Sequence, residues 1–304
     1  MNEDGEKSKE EWFQSSHNFG ALPPELSGPD ESRVVVFPVP YETTTSYRGG
    51  CRRGPAAIID ASANMELYDE DLRSEPCEMG VHTLAPLDVP DDAEKMIDRV
   101  DKVASEWLKK GKFVTVLGGE HTVSLGPVRA LSRSCDPLSV LFLDAHADFR
   151  DSYKENKYSH ACTARRISEN CHVVQAGIRS LSKQEALALD REGIRTFWAS
   201  DFRDARATGK NVELVESVVG ELMDNVYISI DADVFDPSVM PAVGTPEPGG
   251  LLWDEVVGII RAVASERRIV GADFVELAPI DGSVHSEFSA ARLLQKLWGY
   301  ALTQ

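Results

Sequence analysis

Short apolar runs alternate along the chain with longer stretches in which hydrophobic residues recur every three or four positions. The runs at 33–37, 113–117, 138–143, 173–177, 195–198, 226–230 and 269–275 predict strands. Several are apolar throughout, as strands buried on both faces of a parallel sheet are. The helical period predicts helices over 55–64, 91–110, 124–132, 163–169, 183–192, 211–224, 253–263 and 287–300. It is clearest at 91–110, where Met96, Ile97, Val100, Val103 and Trp107 fall on one face. Strand–helix alternation over nearly the whole length predicts one α/β domain with a parallel sheet of seven or eight strands. No internal repeat or low-complexity linker divides it. Residues 1–30 are polar and punctuated by Pro23-Pro24 and Gly28-Pro29, so they read as a tail and lead-in to a domain spanning 31–304.

Composition narrows the classes. A hydrophobic fraction of 42% and a charged fraction of 27% belong to a globular chain. No apolar run reaches the length of a membrane span, and the charged amino terminus lacks the apolar core of a secretory signal. The five cysteines are scattered without CxxC spacing, which points to reduced thiols and a cytoplasmic location. The 32 basic and 50 acidic residues give a net charge of −18, which argues against nucleic acid or an anionic membrane as partner. That charge suits a small cationic substrate, and equally suits plain solubility.

The candidate chemistry sits where the apolar runs stop. Gly118-Gly119-Glu120-His121 follows the run at 113–117, and Asp144-Ala145-His146-Ala147-Asp148 follows that at 138–143. Ser229-Ile230-Asp231-Ala232-Asp233 closes the run at 226–230, and Glu276 follows the last one. In open parallel sheets ligands bind beyond the carboxyl ends of the strands, so these segments converge although they are far apart in sequence. Alternation in an extended segment would put Asp144, His146 and Asp148 on one side, and Asp231 and Asp233 likewise. Two imidazoles (His121, His146) and four carboxylates, without cysteine, form an inventory for two divalent metals rather than a structural zinc knot. Two such ions about 3.5–4 Å apart can activate one water for hydrolysis.

These motifs, with GTPEPGG at 244–250 and YRGGCRRGP at 47–55, resemble the ureohydrolase family of arginases and agmatinases from about residue 30 to the end. The resemblance implies a three-layer α/β/α fold with a mostly parallel sheet of about eight strands. It also implies two Mn2+ per subunit, hydrolysis of a guanidino group to urea and an amine, and a homo-oligomer, trimer or hexamer. By motif, His121 and Asp148 hold one ion, His146 and Asp233 the other, and Asp144 and Asp231 bridge them. Asp148 also hydrogen-bonds the attacking water, Glu276 anchors the guanidinium, His160 is the proton shuttle, and Thr245 lies at the substrate. Ala161 departs from the glycine expected after that histidine, so the backbone there is expected to differ slightly. His17, His82, His172 and His285 carry no motif, and Cys162 reads as a small buried filler.

Substrate choice rests on the loop at 149–158, FRDSYKENKY. It lacks the arginase-like Ser-Gly-Asn pattern and resembles agmatinases instead, whose substrate ends in an ammonium and is converted to putrescine. Arg150 either pairs with Asp151 or a neighbour, or receives a substrate carboxylate, as a guanidinobutyrase would require. Agmatine is thus the expected substrate, with arginase, guanidinobutyrase or formiminoglutamase activity as the alternatives. A single-zinc deacetylase would not need all six ligands, and a non-catalytic relative would lack one.

Overall fold

The structure, a computed structural model, describes residues 17–303. Its elements in chain order are α1 (Pro24–Ser27), β1 (Val34–Val39), α2 (Gly54–Ser62), β2 (Val81–Thr83), α3 (Ala93–Lys109), β3 (Phe113–Gly118), α4 (Leu125–Ser132), β4 (Leu138–Leu143) and α5 (Thr163–Ser168). There follow β5 (His172–Ile178), α6 (Lys183–Glu192), β6 (Arg195–Trp198), α7 (Ala199–Thr208), α8 (Asn211–Gly220), β7 (Asn225–Asp231), α9 (Trp253–Glu266), β8 (Arg268–Val275) and α10 (His285–Leu302). The strands form one eight-stranded sheet in the order β2-β1-β3-β8-β7-β4-β5-β6. Every neighbouring pair is parallel.

The apolar strands face two separate cores, as their composition requires. Val34, Val36, Leu117, Leu141 and Leu143 pack beneath α2, α8, α9 and α10. Their alternates Phe37, Val116, Val140 and Phe142 pack beneath α3, α4 and α5. Period-two side-chain alternation thus feeds both layers of helices, and the result is the three-layer α/β/α architecture. On α3, Met96, Ile97, Val100 and Ala104 are buried, and the Asp92 side chain caps the helix by accepting the Lys95 amide at 2.9 Å. Ser182 and Glu185 form a capping box at the start of α6, which ends at Gly193 with φ 68°.

Three elements escaped the sequence pattern: α1, four residues within the lead-in, β2 and α7. β2 is only three residues long at a sheet edge, too short to display a period. α7 buries only Ala199, Phe202 and Ala205 in an otherwise polar stretch. Of the polar amino-terminal segment, residues 1–16 lie outside the described residues. Within 17–30, Phe19 and Leu22 are fully buried, and the Phe19 ring meets Trp298 of α10 edge-on at 4.7 Å. Burying side chains of this size contributes about 1.5–3 kcal/mol each, enough to anchor the lead-in on the domain.

Candidate metal centre

The four central strands, in the order β3-β8-β7-β4, each deliver one part of the site at their carboxyl ends. His121 opens a 3-10 turn after β3, Glu276 follows β8, Asp231 is the last residue of β7, and Asp144 follows β4. Strands lie about 4.8 Å apart, so residues from these four ends fall within reach of one another.

Two turns of the same construction complete the set. Asp144 Oδ1 accepts the His146 amide at 2.6 Å, and Asp231 Oδ1 accepts the Asp233 amide at 2.8 Å. Each aspartate thereby folds its own chain back and leaves Oδ2 directed at His121. Asp233 in turn accepts the Ala145 amide at 3.1 Å, tying the two segments together. The common side predicted from extended alternation is therefore reached by turning. Asp233 sits in a 3-10 turn, and Asp148 adopts φ +46°, a left-handed conformation rare for a residue with a side chain. Glu276, at φ +60°, shares it. Backbone strain of this kind collects where side-chain placement matters more than local comfort.

His121 Nδ1 lies 3.1 Å from Asp144 Oδ2 and 3.3 Å from both Asp148 Oδ2 and Asp231 Oδ2. His146 Nδ1 lies 2.9 Å from Asp233 Oδ2 and 3.8 Å from Asp144 Oδ1. Asp144 thus belongs to two groups, His121–Asp144–Asp231 and Asp144–His146–Asp233, each with its oxygen and nitrogen atoms within 4.8 Å of one another. Ligands about 2.1 Å from a common ion and at right angles to each other stand about 3 Å apart, close to these separations.

The donor chemistry fits cations. The far nitrogen of His121, Nε2, is 2.9 Å from Ser229 Oγ, which donates to the buried Asp273 carboxylate at 2.8 Å. With its proton so directed, Ser229 can only accept from Nε2–H, and Nδ1 is left facing three carboxylates. Burial alone would lower His121, but Asp144, Asp148 and Asp231 raise it well above the usual histidine value, so this nitrogen holds either a proton or another cation. Nδ1 and Asp144 Oδ2 are buried and make no hydrogen bond among the described residues. A lone pair and several carboxylates crowded together repel unless positive charge lies between them. Burial raises the Asp144 carboxyl to about 7, and burial followed by the Asp233 and Asp144 charges pushes Asp231 well up. Burial alone would lower His146, but Asp233 and its neighbours reverse that and lift it to about 11.

Above the cluster is a cavity of about 280 Å³, lined by His146, Asp148, Asp231, Asp233, Thr245, His160 and Glu276, among others. Glu276 Oε1 accepts the His121 amide at 2.8 Å, and loss of water, then the Glu120 charge, pushes its carboxyl well up. That carboxylate is receptive to a cation. Thr245 Oγ1 is 3.4 Å from Asp233 Oδ2. His160 begins a 3-10 turn, and Ala161 within it has no positive φ, so nothing at this position requires glycine. Arg150 pairs with the buried Glu185 at 3.4 Å and lies over the Tyr153 ring, while Asp151 is taken by Arg166 at 2.9 Å. Of the two fates open to Arg150, pairing with a neighbour is the one observed. Cys162 is buried, and burial pushes its thiol up to about 12. Among the histidines without a motif, His82 Nδ1 lies 2.8 Å from the Ser27 carbonyl and His172 Nε2 2.9 Å from that of Glu221.

Sequence reasoning passed over Glu120, Ser229, Asp273 and Thr44. An acid in the otherwise apolar run at 269–275 was a visible signal for Asp273, since a buried carboxylate needs partners. Thr44 gave none.

Comparison with known proteins identifies the family and the fold. The family model described as the arginase family matches residues 32–299. An N(1)-aminopropylagmatine ureohydrolase of Synechocystis sp. is 39% identical over 279 residues, 89% of each chain. An agmatinase of Pyrococcus horikoshii is 33% identical over 271 residues, 87% of this chain and 90% of that one. The crystal structure of an agmatine ureohydrolase of Thermoplasma volcanium superimposes with a TM-score of 0.83 at 34% identity, covering 92% of this chain and 93% of that one.

Proposed function

This chain belongs to the arginase family and is a ureohydrolase of it, and we propose that it releases urea from agmatine, leaving putrescine. The observation that carries the metal-dependent part is the convergence of His121 Nδ1 with three carboxylates in a buried site. We assign one Mn2+ to His121 and Asp148 and a second to His146 and Asp233, with Asp144 and Asp231 shared. When bound, the two ions supply Lewis-acid chemistry, making water nucleophilic near neutral pH and offsetting developing negative charge.

The remaining steps belong to the protein. Glu276 accepts paired hydrogen bonds from the planar guanidinium and holds its carbon over the cluster. Asp148 accepts a hydrogen bond from the attacking water, orienting its lone pair. His160 gives a proton to the alkyl nitrogen as its bond to the guanidino carbon breaks. Thr245 lines the substrate's approach. The Arg150–Glu185 pair supports a cationic substrate, because this arginine, which lines the cavity, already has a carboxylate partner.

A second reading, hydrolysis of N1-aminopropylagmatine, draws on the 39% identity with the Synechocystis protein. The chemistry at the guanidino end would be unchanged. Manganese as the metal, a trimer or hexamer, a single catalytic domain from residue 31 onward and a cytoplasmic location remain parts of the proposal. Among the described residues no helix is long and apolar enough to cross a membrane. The test is urea release by manganese-loaded protein on agmatine, N1-aminopropylagmatine, arginine and 4-guanidinobutyrate. Preference for agmatine is expected. Preference for the aminopropyl compound selects the second reading, preference for either acid overturns the argument from Arg150, and absence of urea from all four overturns the assignment.

A further inference from the structure

We propose that Thr44 is the positioning residue for His160, its hydroxyl fixing the ring proton on Nδ1 so that Nε2 is the atom presented to the substrate. The inference rests on the reading of His160 as proton donor and adds to it the residues that set its tautomer.

The anchor is Glu120, whose side chain is fully buried beside His121. Its Oε2 accepts the amides of Thr43 and Thr44 at 2.8 and 2.7 Å, and its Oε1 accepts the hydroxyls of Thr44 and Thr122 at 2.7 and 3.0 Å. Thr44 Oγ1 also receives the His160 amide at 3.0 Å and stands 3.0 Å from His160 Nδ1. A hydroxyl has one proton to give and two lone pairs. If the proton goes to Glu120, both lone pairs are acceptors, and the contact with His160 requires Nδ1–H. The alternative, Thr44 donating to Nδ1, exchanges a short bond to a carboxylate for one to a neutral ring. Hydrogen bonds to charged groups are roughly twice as strong, so the first arrangement wins. Ser159 Oγ, at 3.4 Å from Nδ1, is the longer contact. The Tyr153 ring meets the imidazole edge-on, with centroids 6.2 Å apart.

The arrangement holds in both states of the ring. Neutral His160 has its lone pair on Nε2, and protonated His160 still donates Nδ1–H to Thr44, so proton exchange is confined to the nitrogen on the cavity side. As the carbon–nitrogen bond breaks, its electron pair stays on the alkyl nitrogen, which takes the Nε2 proton. The water that adds to the guanidino carbon gives up both its protons: one refills Nε2, and the other passes to the released amine as the carbonyl of urea forms. Guanidinium and water become urea and alkylammonium with no net change in protons.

Valine at position 44 keeps the shape of threonine and removes the hydroxyl. Thr44→Val is expected to lower kcat for agmatine by about 10- to 100-fold, a share of what general acid–base catalysis contributes. KM is expected to stay within about twofold, with metal content unchanged, because uniform binding is untouched. Thr44→Ser should restore kcat to within about threefold, since it returns the hydroxyl. In the His160→Ala background, Thr44→Val should change the residual rate by less than about twofold, the signature of a residue that acts through another. An equal loss in both backgrounds, an undiminished kcat, or a loss confined to KM would overturn the role of Thr44. A His160→Ala enzyme working at the full rate would instead overturn the reading of His160 itself, so the two failures are distinguishable.

Discussion

Removing the Ser229 hydroxyl should loosen metal binding without touching any ligand. Ser229 lies fully buried in the sheet between His121 Nε2 at 2.9 Å and Asp273 Oδ1 at 2.8 Å, and Asp273 also accepts the Tyr227 hydroxyl at 2.8 Å. In Ser229→Ala the Nε2–H loses its acceptor, and a buried donor left unsatisfied costs about 1–3 kcal/mol. It also frees the ring to rotate or exchange tautomers, turning a proton rather than a lone pair toward Asp144, Asp148 and Asp231. If that cost appears wholly in metal affinity, the dissociation constant at the His121 site rises about 5- to 150-fold, in line with the 10- to 100-fold typical of residues that orient metal-bound histidines. Manganese titration, read as the electron paramagnetic resonance signal of free ion, measures this directly. Urea melts of metal-free protein separate it from any general loss of stability. Unchanged affinity with a folded variant would refute the argument that Ser229 and Asp273 set the His121 lone pair.

Three further outcomes follow from the packing. Glu276→Gln keeps an acceptor for the His121 amide but loses charge, so metal content should be retained while kcat/KM for agmatine falls about 100-fold or more; a fall below tenfold would remove its anchoring role. Lys296 is buried between Asp69 at 3.0 Å, Glu70 at 3.3 Å and Asp71 at 2.8 Å, pinning the segment before β2 to α10. Lys296→Met leaves Asp69 buried without its cation and should cost about 3 kcal/mol in urea unfolding, partly recovered by adding Asp69→Asn; a loss under about 1 kcal/mol would show the pair to be expendable. Burial alone would raise Asp236, but the Ser238 hydroxyl and amide and the amides of Gly249 and Gly250 reverse this and hold it at about 2. Its folded value lies below the unfolded value of about 3.9, so its contribution is complete above about pH 5 and disappears as pH falls toward 2. Asp236→Asn should therefore be less stable than the parent at neutral pH and indistinguishable from it near pH 2, whereas a pH-independent gap would contradict the sign.

Most of the sheet was legible because the central strands are long and apolar on both faces, which leaves an unambiguous trace in 113–117, 138–143 and 226–230. β2 and α7 left almost none, since one is three residues at an edge and the other rests on a few small side chains. The strand order was not legible either, because nothing local in 269–275 says that this run pairs with β3 on one side and β7 on the other. For the site, strand-end position and chemistry identified the six convergent side chains and Glu276. The turns at Asp144 and Asp231 are closed by side-chain bonds spanning two residues, which a period-two reading does not anticipate. The supporting chain of Thr44, Glu120, Ser229 and Asp273 depends on hydrogen bonds across 44 to 116 residues of sequence. Local patterning carries no record of such contacts.

The sheet order has a consequence for synthesis. β8 is the last strand made, yet it lies between β3 and β7 and is what joins β2-β1-β3 to β7-β4-β5-β6. A nascent chain that has not yet reached residue 268 holds two half-sheets, each with an open edge along its inner strand, and such edges invite wrong pairing. It also holds His121 on one half and Asp144 and Asp231 on the other. Closing the gap therefore assembles the fold and the candidate ligand cluster in a single event. Pulse-labelled hydrogen exchange during refolding would register this as β3, β8 and β7 amides gaining protection together. Protection of β3 well ahead of β8 would rule it out.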